Sequence, residues 1–321
     1  MAVSDHEDAS GPEIEIRQAR PEDTEAVVAF TRETWSDREG ASDYMPETFP
    51  RWVETDGPTQ RTFVADVDDG ADVAGVLQGV LLSETEAWAQ GMRVNPDYRG
   101  EGLSPRLSRA VFRWAREQGA TVVRNMVFSW NVAGLGQSRS VGFEPATEFR
   151  WAMPEPDADA EPALQVTADP AAAWSFWSDG AARDHLGGLA LDFEESWSMS
   201  ELRREDLRRA ADDDRLLVVQ SEGTRAFTVR SEVSDRDDED GETTTQAVYA
   251  VGAWDSTAAA DALFDAVARD AAGEGADVVR VLIPEGVRWV SDAAAVRCGV
   301  SDEPDFAMRA DLTDPAVLGE D

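Results

Sequence analysis

Lysine is absent from this chain. All 29 basic residues are arginine, set against 65 Asp and Glu, for a formal net charge of −36. A surface this anionic repels nucleic acid and anionic lipid, which excludes both as partners. Cysteine is nearly absent: Cys298 stands alone, so no internal disulfide can form. Histidine is scarce, with only His6 and His185. A zinc site built from Cys and His is therefore not expected, and neither Cys298 nor His185 sits in a recognisable nucleophile motif. Long apolar runs are also missing; no stretch of 18 exists, so no transmembrane helix is expected. Met1–Pro12 is acidic and rich in small residues, without the basic and apolar regions of a signal peptide. It reads as a disordered leader, and the location expected is the cytoplasm.

What is present is acid spread over the whole chain. That distribution fits a halophilic setting better than one specific basic partner. In about 1 M salt the Debye length falls to about 3 Å, so self-repulsion is screened, while carboxylates keep the surface hydrated. The 321 residues, 42% of them hydrophobic, suffice for one large domain or two ordinary ones. Residues 154–162, PEPDADAEP, have the proline-rich, acidic composition of a linker. The expected organisation is a leader over 1–12, a first domain over 13–153, this linker, and a second domain over 163–321.

The first half alternates strand and helix signals. Ile14 and Ile16 mark a short strand. Pro21-Glu22-Asp23 opens a helix with Val27, Val28, Phe30 and Trp35 on its buried side. A second helix is expected over Met45–Val53. Strands follow at Thr62–Val67 and Val73–Leu82, joined through Asp68-Asp69-Gly70, and a fourth at Ala87–Val94. Leu103, Leu107, Ala110, Val111 and Trp114 recur at helical spacing up to Gly119. Thr121–Phe128 is a further strand, a short helix follows Asn131, and Gly142-Phe143 begins the last strands, which end near Met153.

The second half repeats this order more weakly. Helices are expected at Ala171–Trp177 and at Met199–Ala211, the latter opened by a Ser198–Glu201 capping box. Strands are expected at Leu216–Val219, Ala226–Val233, Ala247–Trp254 and Val278–Ile283. Ser234–Thr244 reads as an acidic loop and Thr257–Ala272 as a helix. Val94 and Gly142 lie 48 residues apart, and Trp254 and Gly299 lie 45 apart. The pattern points to a duplicated, tandem domain.

The stretch richest in chemistry is Met92-Arg93-Val94-Asn95-Pro96-Asp97-Tyr98-Arg99-Gly100-Glu101-Gly102-Leu103-Ser104. A strand runs into a glycine-bearing loop and a helix begins at once. Glycines let backbone amides converge on one point, and a helix N-terminus adds unpaired N–H groups and a positive dipole end. The result suits a pyrophosphate. It is not a dinucleotide fingerprint, because Pro105 stands where a third glycine is needed, and it lacks the lysine of a P-loop.

This segment resembles the acetyl-CoA loop of the GNAT N-acetyltransferase superfamily, whose pattern of Arg or Gln, two residues, Gly, one residue, Gly or Ala maps onto Arg99, Gly102 and Ser104. Ser104 departs from it. Members often carry an Asn followed by Gly-Phe, matched here by Asn131 and Gly142-Phe143, and the opening from Ile16 to Asp23 looks like the family's usual first strand and helix start. The resemblance implies an α/β (α+β) fold with two GNAT-like domains. Each has a mixed, mostly antiparallel sheet with splayed middle strands flanked by helices. It implies acetyl-CoA as co-substrate, with Met92, Arg93 and Val94 along the pantetheine arm, Asn131 near it, and Arg99, Gly100, Glu101, Gly102, Leu103 and Ser104 around the diphosphate. No metal is implied.

The same resemblance places a catalytic Glu six residues before Val94, where this chain has Trp88. Glu86, two residues earlier on the same side of the strand, is the candidate base, or else a solvated strand-end carboxylate. A Tyr acid is expected seven residues after the Asn; Ser138 occupies that position, as a hydrogen-bond donor to the leaving thiolate or as a packing residue. Trp35, Tyr44 and Trp52 are either an aromatic wall for the acceptor or core. The second half lacks the glycine loop, since Trp254 is followed directly by Asp255-Ser256, so it is expected to be degenerate. The function implied is acetyl transfer to a primary amine in a ternary complex, with the acceptor unidentified. The alternatives are a non-catalytic acyl-CoA-binding regulatory module and a purely structural interaction protein.

Overall fold

The structure is a computed structural model, and it describes residues 13–32, 34, 43–68, 70, 72–237 and 243–319. The leader, Trp35 and Asp69 lie outside the described residues. The chain divides into two compact units. The first comprises Met1–Arg124, Gly136–Phe143 and Ala310–Asp321; the second comprises Asn125–Leu135 and Glu144–Arg309.

The first unit begins with β1 (Ile14–Gln18), a 3-10 turn, α1 (Thr24–Thr31) and α2 (Met45–Thr55). Strands β2 (Gln60–Val67), β3 (Asp72–Leu81) and β4 (Glu86–Val94) then pair antiparallel in sequence order, with β1 on the far side of β2. Helix α3 (Leu103–Glu117) crosses over to β5 (Val122–Phe128), which runs parallel to β4. α3 is amphipathic: Leu103, Leu107, Val111, Phe112, Trp114 and Ala115 are buried on one face, at the i, i+4, i+8 spacing that aligns side chains along a helix. α4 (Val132–Ser140) follows.

The second unit takes β6 (Glu144–Met153), then β7 (Gln165–Thr167), α5 (Pro170–Ser178), α6 (Ala181–Leu186), the hairpin β8 (Leu189–Leu191) and β9 (Met199–Glu201), and α7 (Arg204–Asp212). Next come β10 (Leu216–Gln220), β11 (Thr224–Asp237), β12 (Thr243–Trp254), α8 (Thr257–Gly273), β13 (Val278–Pro284), α9 (Val287–Ala295), β14 (Gly299–Val300) and β15 (Asp305–Asp311). Its strands β7, β10, β11 and β12 are antiparallel neighbours; β13 is parallel to β12 across α8. This is the succession of pairings seen from β1 to β5. Strand β6 joins this unit beside β13, β14 and β15. The C-terminal α10 (Pro315–Leu318) belongs to the first unit, where Val317 packs beside Gly142 and Gly319 against Arg109.

The fold is thus mixed α/β with mostly antiparallel sheet, as the family resemblance implied. Four local expectations need correction. Met199 begins no helix: residues 199–201 pair with 189–191 as a strand. α7 starts at Arg204, where the Asp206 carboxylate accepts the Arg203 amide at 2.8 Å; the Ser198 hydroxyl instead donates to the Glu195 carbonyl. The acidic loop is largely ladder, since Ser234–Asp237 pair with Thr243–Gln246; residues 238–242 lie outside the described residues. One strand, β6, rather than several, follows Phe143. Glu86 is enclosed instead of solvated, at 3% exposure.

Candidate active site

The site in the first unit starts from a defect in β4. Val76 pairs with Arg93 but Gln78 pairs with Gln90, so β4 carries extra chain at Gly91 and Met92. Gly91 has φ +72, and a Cβ there would lie 2.5 Å from the Trp52 ring. Such a bulge bends its strand and increases its twist. The parallel register with β5 runs only from Glu86↔Val122 to Trp88↔Arg124, although β4 continues to Val94. The pairing ends before the bulge, and the β4 backbone from Ala89 onward lies outside it.

That open edge leads directly into the loop. Asn95 anchors it: its side-chain oxygen accepts the Asp97 amide at 3.1 Å, and its own amide donates to Ala74. The Tyr98 hydroxyl donates to Asp72 at 3.0 Å. Arg99 and Glu101 are exposed. Gly100 and Gly102 have φ +93 and +68, and a Cβ at either would meet nothing within 4 Å. Gly102 is the N-cap of α3 and brings no side-chain cap. Pro105, third in the helix, has no N–H, so the amides on offer are those from Gly100 to Ser104. An uncapped helix N-terminus fronted by two open glycines is an anion cradle in geometry and charge.

The second unit differs at the matching place. Ser256 caps α8 with its own hydroxyl, which accepts the Ala259 amide, and Asp255 pairs with Arg225. A Cβ on Gly252 of β12 would lie 2.9 Å from Val281, and Trp254 is buried, its indole donating to Asp292 at 2.9 Å. The cap and the cleft are both filled by the chain's own side chains.

The candidate catalytic residues have definite surroundings. Glu86 receives Arg124 at 2.5 Å and the Ser83 hydroxyl at 3.2 Å, at the start of β4. At about 3.3 Å per residue it lies about 26 Å along the strand from Val94. Trp88 is 2% exposed. Ser138 on α4 is 1% exposed, and its carbonyl accepts the Val141 and Phe143 amides. Asn131, in the second unit, caps the following helix by accepting the Gly134 amide at 2.9 Å. Tyr44 is 44% exposed with its ring edge-on to the buried Trp52, centroids 6.2 Å apart. Arg93 faces Tyr44 at 5.4 Å and grips Asp43 with two bonds of 2.8 and 3.0 Å, which ties β4 to the start of α2.

One feature escaped the sequence reading. Gln90 donates to Gln78, Gln78 to Thr62, and Thr62 to Asp56, at 2.8, 3.1 and 3.0 Å. This row crosses β4, β3 and β2 beside the bulge. Burial pushes the Asp56 carboxyl up, opposed by its bonds from Thr62 and Gln18. Polar residues at even spacing in strands 60–67 and 72–81 were its only sequence signal.

Comparison with known proteins agrees with this geometry. The model of the acetyltransferase (GNAT) family matches residues 25–143. No curated protein sequence matches the chain at a significant level. Among solved structures, a GCN5-related N-acetyltransferase from Sphaerobacter thermophilus is 15% identical, with a TM-score of 0.59 over 93% of this chain and 96% of that one. A putative acetyltransferase from Thermoplasma acidophilum is 16% identical, with a TM-score of 0.54 over 92% and 99%. At such identities the likeness establishes the fold, and it extends through both halves. Residues 25–143 therefore form a domain of the GNAT acetyltransferase family, whose general chemistry is acyl transfer.

Proposed function

We propose that the first unit moves an acetyl group from acetyl-CoA to a primary amine by direct attack in a ternary complex. The observation that carries this is the joined pair of features on β4 and α3: a bulged strand whose backbone from Ala89 onward lies outside the parallel pairing, and an uncapped glycine-fronted helix where that strand leads. In this reading the amides of Gly100–Ser104 take the diphosphate, with Arg99 alongside, and backbone groups of Met92 and Val94 hold the pantetheine arm as an added strand. A free amine is protonated near neutrality, with a pKa of about 8 for a terminus and about 10.4 for a lysine side chain. Attack on the thioester therefore requires loss of a proton. Trp88 offers no base. Glu86 is engaged by Arg124 and Ser83, so we assign it to positioning, as the pin that starts the β4–β5 pair, and assign the proton to water. Ser138 is the proposed hydrogen-bond donor to the leaving sulfur. Tyr44 and Trp52 form one wall of the acceptor site.

The second unit is proposed as a degenerate counterpart that binds no coenzyme, because Ser256, Trp254 and Val281 occupy the equivalent space. The anionic surface suits a protein working in a cytoplasm of high salt. The test is a panel of primary amines assayed for CoA release in concentrated KCl. Release with one amine class and not with buffer alone is the expected result. Binding of acetyl-CoA without release from any amine would favour a regulatory module, the reading that Trp88 at the base position supports. Failure to bind acetyl-CoA at all would leave only an interaction protein.

A further inference from the structure

The hydrogen-bonded row beside the bulge has a direction that its own chemistry fixes. Thr62, on β2, and Gln78, on β3, are fully buried. They lie two residues from Val64 and Val76, which pack with Met45, Phe49 and Trp52 of α2. Both side chains therefore lie on the α2 face of the sheet. The row starts at Asp56, the residue after α2. As a carboxylate, Asp56 only accepts hydrogen bonds. Its Oδ1 takes the Thr62 hydroxyl at 3.0 Å. Its two oxygens also take the Thr62 amide at 3.0 and 2.9 Å, and Oδ2 takes the Gln18 side-chain amide at 3.2 Å.

A hydroxyl has one hydrogen, and Asp56 takes that of Thr62. Toward Gln78 the Thr62 oxygen can only accept, so the nitrogen end of the Gln78 amide faces it, at 3.1 Å. The oxygen end of Gln78 then faces Gln90 and takes its Nε2–H at 2.8 Å. The row thus passes one polarity from the carboxylate to β4 and holds the Oε1 of Gln90 at the end away from Gln78. A lone surface glutamine can present either end of its amide; this one presents its oxygen. Gln90 is also where β4 first reaches the surface: Glu86 to Ala89 are buried, and Gln90 is half-buried. The parallel pairing with β5 has ended two residues earlier, at Trp88. The next residue, Gly91, abuts the Trp52 ring, which has Tyr44 edge-on to it.

We propose that Gln90 positions the acceptor amine: its Oε1 accepts one N–H of the uncharged amine and so turns the nitrogen lone pair toward the thioester. This assignment rests on the acetyl-transfer reading. A carbonyl oxygen has two lone pairs, so it can take an N–H of the acceptor beside another donor. An amide oxygen is too weak a base to take the proton. It orients the amine while the C–N bond forms and the C–S bond breaks; the sulfur leaves with CoA, and water removes the proton from the amine nitrogen. The test follows CoA release against amine concentration at saturating acetyl-CoA, with the acetyl-CoA Kd measured by calorimetry. Gln90→Leu, similar in size but without the oxygen, should raise KM for the amine about tenfold and leave the acetyl-CoA Kd and the melting temperature near their native values. Thr62→Val, which removes the hydroxyl that orients Gln78, should raise KM by less, with rescue in Thr62→Ser. A native KM in Gln90→Leu, or acetyl-CoA affinity lost in step with amine KM, would overturn the assignment while leaving acetyl transfer standing. A native chain that releases no CoA with any amine would overturn both.

Discussion

Glu86 and Arg124 meet at 2.5 Å with side chains 3% and 9% exposed. Removing one partner from a buried pair strands the other, at a cost of about 3–5 kcal/mol. Glu86→Gln is therefore expected to lower the melting temperature markedly, while the pH profile of kcat/KM keeps its shape. A profile that loses its acidic limb in this variant would restore Glu86 as the base. Cys298 offers a second test at this scale. Burial pushes its thiol up to about 12, against about 8.5 for an ordinary thiol. The folded state thus favours the neutral thiol. Its stability contribution is complete below about pH 8.5 and is lost as pH rises towards 12. Native protein at pH 8 should react slowly with a thiolate-directed alkylating reagent, unfolded protein quickly, and Cys298→Ala should flatten the alkaline decline in stability.

Among the elements, β4 decides most. Gly91 sits at φ +72 with the Trp52 ring where a Cβ would go. In an alanine variant the left-handed backbone alone costs about 1–2 kcal/mol, and the clash adds to it. Gly91→Ala is expected to lower the melting temperature and weaken acetyl-CoA binding together, because the strand loses the bulge that shapes its approach to the glycine loop. Full retention of binding would mean the bulge plays no part in holding the coenzyme. The amphipathic repeats of α3, the alternation in β2 and β3 and the glycine loop were legible in the sequence, because each depends on neighbours a few residues away. The bulge was not: Gly91 looks like any strand glycine until Trp52, thirty-nine positions earlier, is folded against it. The enclosure of Glu86 was hidden for the same reason, since Arg124 reaches it only through the parallel crossover. The helix expected at Met199 failed because pairing with Leu189–Leu191 outweighs helical propensity, a tertiary override of a local signal.

At the scale of the molecule, the unit that carries the cradle is completed from the far end of the chain. Leu312 donates its amide to Thr121 at 2.9 Å, and Val317 packs at Gly142. Deleting residues 310–321 should therefore destabilise the coenzyme-binding unit and reduce acetyl-CoA affinity, although no deleted residue belongs to the cradle; unchanged affinity would show that this segment is dispensable there. The spacing of the two halves suggests a duplication, whereas this sharing of the C-terminal segment has no sequence signature. The most direct test is a calorimetric titration of the full chain with acetyl-CoA in concentrated KCl. The account predicts one site per chain, abolished by Gly102→Asp, which sets a carboxylate in the cradle at a left-handed position. Two sites, no uptake, or undiminished binding by that variant would contradict it.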